Sequence, residues 1–141
     1  MRSILFDINV ILDILFDRKP FSESAVKCLH LVSIGEIQGY LSAHAVTTIY
    51  YISQKYVSKA KTRQTLANLL SKFQVAPVNH KVLTEALALD FSDYEDAVTY
   101  AAALSMRVGL ILTRNIKDFK KADILVLAPE QYLAHREIQM A

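Results

Sequence analysis

Asp7 follows the apolar run Ile4-Leu5-Phe6, and Asp93-Tyr94-Glu95-Asp96 opens an Ala-rich stretch almost ninety residues later. A third acid, Asp118, lies in Thr113-Arg114-Asn115-Ile116-Lys117-Asp118, directly after the run Val108-Gly109-Leu110-Ile111-Leu112. Acids placed where the strands of an α/β sheet end are positioned to hold a metal ion. If Asp7, Asp96 and Asp118 converge, their mutual repulsion calls for a counter-cation, and oxygen donors select a hard one, Mg²⁺ or Mn²⁺. Such an ion activates water and stabilises charge on a phosphate oxygen, so the expected chemistry is phosphodiester hydrolysis. Zinc fits poorly, because Cys28 and the four histidines form no chelating pair and no CxxC.

Around these three acids stand possible helpers. Asp93 precedes Asp96 by three residues and shares its helix face, either as a holder of a metal-bound water or second ion, or as an N-cap. Asn9 is suited to bonding Asp7 or a ligand water, and equally to an Asx-turn that starts a helix. Glu95 is expected to point off the face into solvent. The glycine-rich nucleotide loops and the G-x-S-x-G nucleophile elbow are absent, and a chain with three glycines has little with which to build a phosphate cradle. An aspartyl phosphatase of the haloacid-dehalogenase kind needs a second acid two residues after its nucleophile, where this chain has Asn9.

The elements that must position these groups follow from the hydrophobic pattern. Ser3–Asp7 reads as a strand covered on both faces, and residues 10–16 as a buried helical turn or two that Pro20 ends. A helix is expected over Glu23–Ser33, capped by Ser22, burying Ala25, Val26, Leu29 and Val32 and closed by Gly35. Gln38–Ser42 reads as a second strand, Ala43–Tyr56 as a helix, and Lys59–Ser71 as another, capped by Ser58 with Leu66, Leu69 and Leu70 inward. Phe73–Pro77, Gly109–Thr113 and Ile124–Leu127 complete the strands. Helices are expected over His80–Leu89 and Asp93–Met106, and from Pro129 to about Arg136. Strands separated by helices imply a mostly parallel sheet covered on both sides, within a single domain spanning 1–141.

Composition sets the surroundings. The chain is 52% hydrophobic and 21% charged, as a compact folded protein should be. Its apolar runs are too short for a membrane helix, Asp7 interrupts any signal-peptide core, and the lone Cys28 reads as buried, so a cytoplasmic protein is expected. Between Glu36 and Glu85 there is no acid, while Lys55, Lys59, Lys61, Arg63, Lys72 and Lys81 give that span a charge of +6. The remaining ten basic and fourteen acidic residues sum to −4. An acidic metal centre beside a basic flank suits cleavage of a polyanion.

These motifs resemble the PIN domain family (PilT N-terminus-like), including the VapC-type toxin ribonucleases of toxin–antitoxin pairs. Phe6-Asp7-Ile8-Asn9-Val10-Ile11-Leu12-Asp13 is similar to the family's opening D-x-N motif, and Asp93-Tyr94-Glu95-Asp96-Ala97-Val98 to its third. Leu112-Thr113-Arg114-Asn115-Ile116-Lys117-Asp118-Phe119 and Val126-Leu127-Ala128-Pro129-Glu130 resemble its closing region. The resemblance implies an α/β/α sandwich, Mg²⁺- or Mn²⁺-dependent cleavage of RNA, an antitoxin partner and a homodimer or higher homo-oligomer. It makes Asp7 and Asp96 metal ligands, puts Asn115 or Asp118 in the fourth acidic position, and adds Thr113 as a polar contact. One departure stands out. The family's Glu after the second strand is replaced by Thr47 or Thr48, with His44 nearby as an alternative ligand or proton carrier. That leaves two expectations: an active endoribonuclease gripping RNA through Lys55, Lys59, Lys61 and Arg63 with Tyr50, Tyr51 and Tyr56, or a nucleic-acid-binding module of the same fold that has lost turnover.

Overall fold

The computed structural model describes residues 2–119 and 122–140. Its centre is a five-stranded parallel sheet in the order β3-β2-β1-β4-β5, formed by β1 (Arg2–Phe6), β2 (Ile37–Ser42), β3 (Gln74–Ala76), β4 (Leu110–Leu112) and β5 (Leu125–Leu127). The helices are α1 (Ile8–Leu15), α2 (Ser22–Ser33), α3 (Ala43–Ser53), α4 (Lys59–Lys72), α5 (His80–Ala88), α6 (Tyr94–Ser105) and α7 (Pro129–Met140), with a 3₁₀ turn at Ile116–Phe119. The expected α/β/α sandwich is what the chain forms.

Strand side chains alternate between two cores, as the period of two requires. Ile4, Phe6, Leu41, Leu110 and Leu112 point to one side, where they meet Val10, Ile11, Ala25, Cys28, Ile49, Leu66, Leu69 and Tyr132 from α1, α2, α3, α4 and α7. Leu5, Tyr40, Ala76 and Ile111 point to the other, against Val82 and Ala86 of α5 and the small residues Ala97, Ala101 and Ala102 of α6. Two glycines answer local demands. Gly35 adopts φ +78° just past α2, and the N–H groups of Gly35 and Glu36 return to the carbonyls of Val32 and Leu31, closing the helix as expected. Gly39 in β2 leaves room for Phe73, whose ring carbons would lie 2.7 Å from a Cβ at that position.

Several boundaries and faces differ from the sequence reading. Ser22 is inside α2 rather than capping it, because its hydroxyl donates to Asp17 at 2.7 Å. Val26 and Leu70 are exposed, each lying one residue beyond the buried stripe of its helix. The helix expected to reach Tyr56 stops at Ser53, and the chain turns before Ser58, which caps α4 by accepting from the Lys61 N–H at 3.1 Å. No helix among the described residues is long and apolar enough to cross a membrane.

A candidate acid centre at the sheet switch point

The strand order reverses at β1, which pairs with β2 on one side and β4 on the other. Crevices in open parallel sheets form at such a point, beyond the carboxyl ends of the strands. Asp7 leaves β1 there, its N–H still donating to the Leu112 carbonyl at 2.9 Å, and Thr113 leaves β4 beside it. Residues 106 positions apart in sequence thereby become neighbours.

Asp7 is buried and fully engaged. One carboxylate oxygen accepts the Ile8 N–H at 2.8 Å, which makes Asp7 the N-cap of α1. The other accepts the Thr113 hydroxyl at 2.8 Å and, at 3.4 Å, the Asn9 amide. Thr113 in turn accepts from the Asn9 side-chain amide at 3.2 Å and from the Asn115 N–H at 3.0 Å, while the Asn9 side-chain Oδ1 accepts the Arg114 N–H at 3.2 Å. Asn9 therefore serves Asp7 and the post-β4 loop together.

The second acid comes from α6. Asp93 is its N-cap, accepting the Asp96 N–H at 3.2 Å, so of its two expected roles the cap is the one seen. Asp96, one turn in, is half-buried. Burial first, then the charges of Asp7, Asp93, Asp118 and Glu95, push its carboxyl up to about 7. Burial likewise raises Asp7, with Glu95 and Asp118 adding to it, while hydrogen bonds from Thr113 and Ile8 pull the other way. Asp118, on the exposed 3₁₀ turn, thus lies within electrostatic reach of both. Asn115 is exposed at the start of the same turn and lines a shallow depression of about 380 Å³ with Asp118. A larger cavity of about 570 Å³, lined by Val26, Leu31 and Leu133 among others, lies between α2 and α7 and contains none of these acids.

Carboxylate oxygens crowded enough to lift one another's pKa are a donor set that fits a divalent cation. Among the described residues no three His, Cys, Asp or Glu side chains stand close enough to form a ready-made cage. Mg²⁺-type sites often take one or two carboxylates and complete their shell with water and substrate phosphate, which is the arrangement this edge suits.

Thr47 and Thr48 both donate to the His44 carbonyl, at 2.9 and 3.0 Å, and Thr47 lines a cleft with Tyr50, Leu66 and Leu70. His44 itself turns toward α6: its Nε2 lies 3.4 Å from the Thr99 hydroxyl, and its buried Nδ1 has no partner among the described residues. Burial lowers the His44 pKa, against the opposing pull of Glu95. Glu95 is exposed, as expected, and its charge raises Asp7, Asp96 and His44.

Sequence reasoning also missed the ion pair beneath the centre. Asp13, 1% exposed, receives Arg114 through two bonds, Nε at 2.6 Å and Nη2 at 3.1 Å, with Arg18 at 3.8 Å. An acid inside the apolar run 10–16 was the available clue, because a buried carboxylate must find a cation.

A sequence model of the PIN domain matches residues 3–117. The chain belongs to the PIN domain family. Its structure is similar to that of a toxin–antitoxin complex from Klebsiella pneumoniae, with a TM-score of 0.69 and 26% identity over 90% of this chain and 98% of that one. It also resembles FitAcB from Neisseria gonorrhoeae (TM-score 0.66, 22% identity, 90% and 98% covered). A sarcin–ricin-loop-cleaving VapC toxin from Mycobacterium tuberculosis shares the fold at TM-score 0.61 and 13% identity, with 77% and 87% covered. No curated protein sequence matches the chain.

Proposed function

We propose that this PIN domain is a divalent-metal-dependent endoribonuclease and the toxin of a toxin–antitoxin pair, held in check by its antitoxin and acting as a homodimer or higher homo-oligomer in the cytoplasm. The observation that carries the reading is that Asp7, buried where β1 ends beside β4, lies within electrostatic reach of half-buried Asp96 of α6, which is pushed up to about 7 by burial first and then by the charge of Asp7. Support for the toxin assignment comes from the toxin–antitoxin complex from Klebsiella pneumoniae that shares the fold at 26% identity.

In this reading Asp7 and Asp96 hold Mg²⁺ or Mn²⁺, with Asp118 or Asn115 completing the protein's share. The bound ion supplies a lowered water pKa and charge stabilisation at the phosphate. Thr113 and Asn9 fix the Asp7 carboxylate, Asp93 holds the first turn of α6 so that Asp96 faces the crevice, and Thr47 and Thr48 shape the start of α3. The basic residues Lys55, Lys59, Lys61 and Arg63, all exposed, draw in the RNA backbone. Cleavage of RNA with Mn²⁺ by the unaltered protein, lost in Asp96→Asn, is the expected result; equal cleavage by both rejects these assignments.

A second reading is favoured by one observation. The hydroxyls that stand where the family's Glu is expected are tied to the His44 carbonyl, which leaves the β2–α3 junction without a carboxylate. A PIN-fold nucleic-acid-binding module without turnover would have this feature. Calorimetry separates the two: no Mn²⁺ binding at millimolar concentration, with RNA binding intact, selects the module.

A further inference from the structure

Three cation–π contacts occur among the described residues, and they fall along one connected path. Arg114 lies over the Phe21 ring at 4.0 Å, Arg18 over Phe16 at 5.8 Å, and Lys55 over Tyr51 at 4.4 Å. Asp13 ties the first pair to the second by receiving both arginines. Phe16 meets Tyr56 edge-on at 5.3 Å, which brings in the α3–α4 turn and, one residue back, Lys55. The path therefore begins at the loop carrying Thr113 and Asn115 and ends on α3. Its outer rings are open to solvent: Phe21 is 39% exposed, Tyr51 56% and Tyr56 72%. The acids along it are already occupied. Asp13 is buried under the two arginines, and Asp17 accepts from Ser22 and pairs with Lys19 at 3.2 Å.

Exposed aromatic rings interleaved with cations, leading away from an acid centre, match the chemistry of an unpaired polynucleotide: rings stack on base faces and cations follow the phosphates. A duplex hides its base faces and would meet only the charges. We propose that Phe21, Tyr56 and Tyr51, with Arg18 and Lys55, form a stacking track that holds a single-stranded segment of RNA next to the scissile phosphate. The proposal rests on the nuclease reading for its substrate, and it extends the RNA contact from α3 and α4 to the α1–α2 loop.

The test measures binding by fluorescence anisotropy in the Asp96→Asn protein, so that RNA stays intact, using a labelled oligouridylate and a blunt RNA duplex of equal length. Phe21→Ala, Tyr51→Ala and Tyr56→Ala should each weaken oligouridylate binding about fivefold or more, the range expected from losing one stacked base. Tyr51→Phe and Tyr56→Phe, which keep the ring, should bind as the parent does. Unchanged affinity in the alanine variants, equal affinity for the duplex, no binding of either RNA, or displacement of the RNA by an equal concentration of polyglutamate overturns the track. Cleavage by the otherwise unaltered protein with Mn²⁺ is scored separately. Cleavage with ring-independent binding sinks the track alone, and ring-dependent binding without cleavage sinks the nuclease reading alone.

Discussion

Replacing Arg114 by Met removes both bonds to Asp13 while keeping a chain of similar length against Phe21. The carboxylate left behind is 1% exposed, and its remaining cation is Arg18 at 3.8 Å. Stripping one partner from a buried ion pair costs about 3–5 kcal/mol. Here two features point to the lower end, about 3 kcal/mol: the Arg114 side chain is 27% exposed, so water already screens part of the pair, and Arg18 stays in place. For a chain of this size that corresponds to a fall in Tm of roughly 10 °C. Urea unfolding at pH 8 without metal measures it directly. Asp13→Asn in the same background should restore part of the loss, giving a coupling of about 2 kcal/mol in a double-mutant cycle. A loss under about 1 kcal/mol for Arg114→Met, or strictly additive effects, would refute the view that this pair fastens the post-β4 loop to α1.

Other expectations follow from the same centre. Because the folded pKa of Asp96 lies above its unfolded value, the folded state holds that proton more tightly, so in the metal-free protein Asp96 contributes stability that is fully present below about pH 4 and is lost as pH rises to about 7. Asp96→Asn should flatten this profile in differential scanning calorimetry; an unchanged slope would count against the crowding. Mn²⁺ should raise the Tm of the unaltered protein more at pH 8 than at pH 6, since ligands must shed protons to bind, and Asp96→Asn should lose most of the gain. Thr113→Val removes the 2.8 Å bond to buried Asp7 and should cost about 1–3 kcal/mol in denaturant unfolding, where a neutral result would show Asp7 is served by other groups. Gly39→Ala forces a methyl group to within 2.7 Å of the Phe73 ring and should cost about 1–3 kcal/mol by the same measurement; full stability would mean the ring moves freely.

The centre of the architecture was legible because β1 and β4 carry short continuous apolar runs, Ile4–Phe6 and Leu110–Leu112, each followed at once by a chemically distinctive residue. Asp7 after Phe6 and Thr113 after Leu112 could be read as edge residues once the strands were judged parallel, and the structure makes them direct partners. What stayed hidden depends on direction within a helix turn or on contacts between distant loops. Ser22 resembled a cap until Asp17 claimed its hydroxyl, and nothing in the sequence foretold that the Thr47 hydroxyl bonds backward along its own helix. Asp13 and Arg114, 101 residues apart, carry no periodic signature linking them. Glu95 is solvent-exposed as helix spacing implies, yet its charge still reaches Asp96, because charge acts over distances that spacing does not describe.

Because β4 docks against β1 only after some hundred intervening residues, a polypeptide still emerging from the ribosome presents Asp7 on a strand with nothing on that flank. Its carboxylate gains the threonine hydroxyl and the opposing loop when synthesis has passed residue 113 and that segment has cleared the exit tunnel. A growing chain is thus built without its acid crevice, which comes into being when β4 docks on β1.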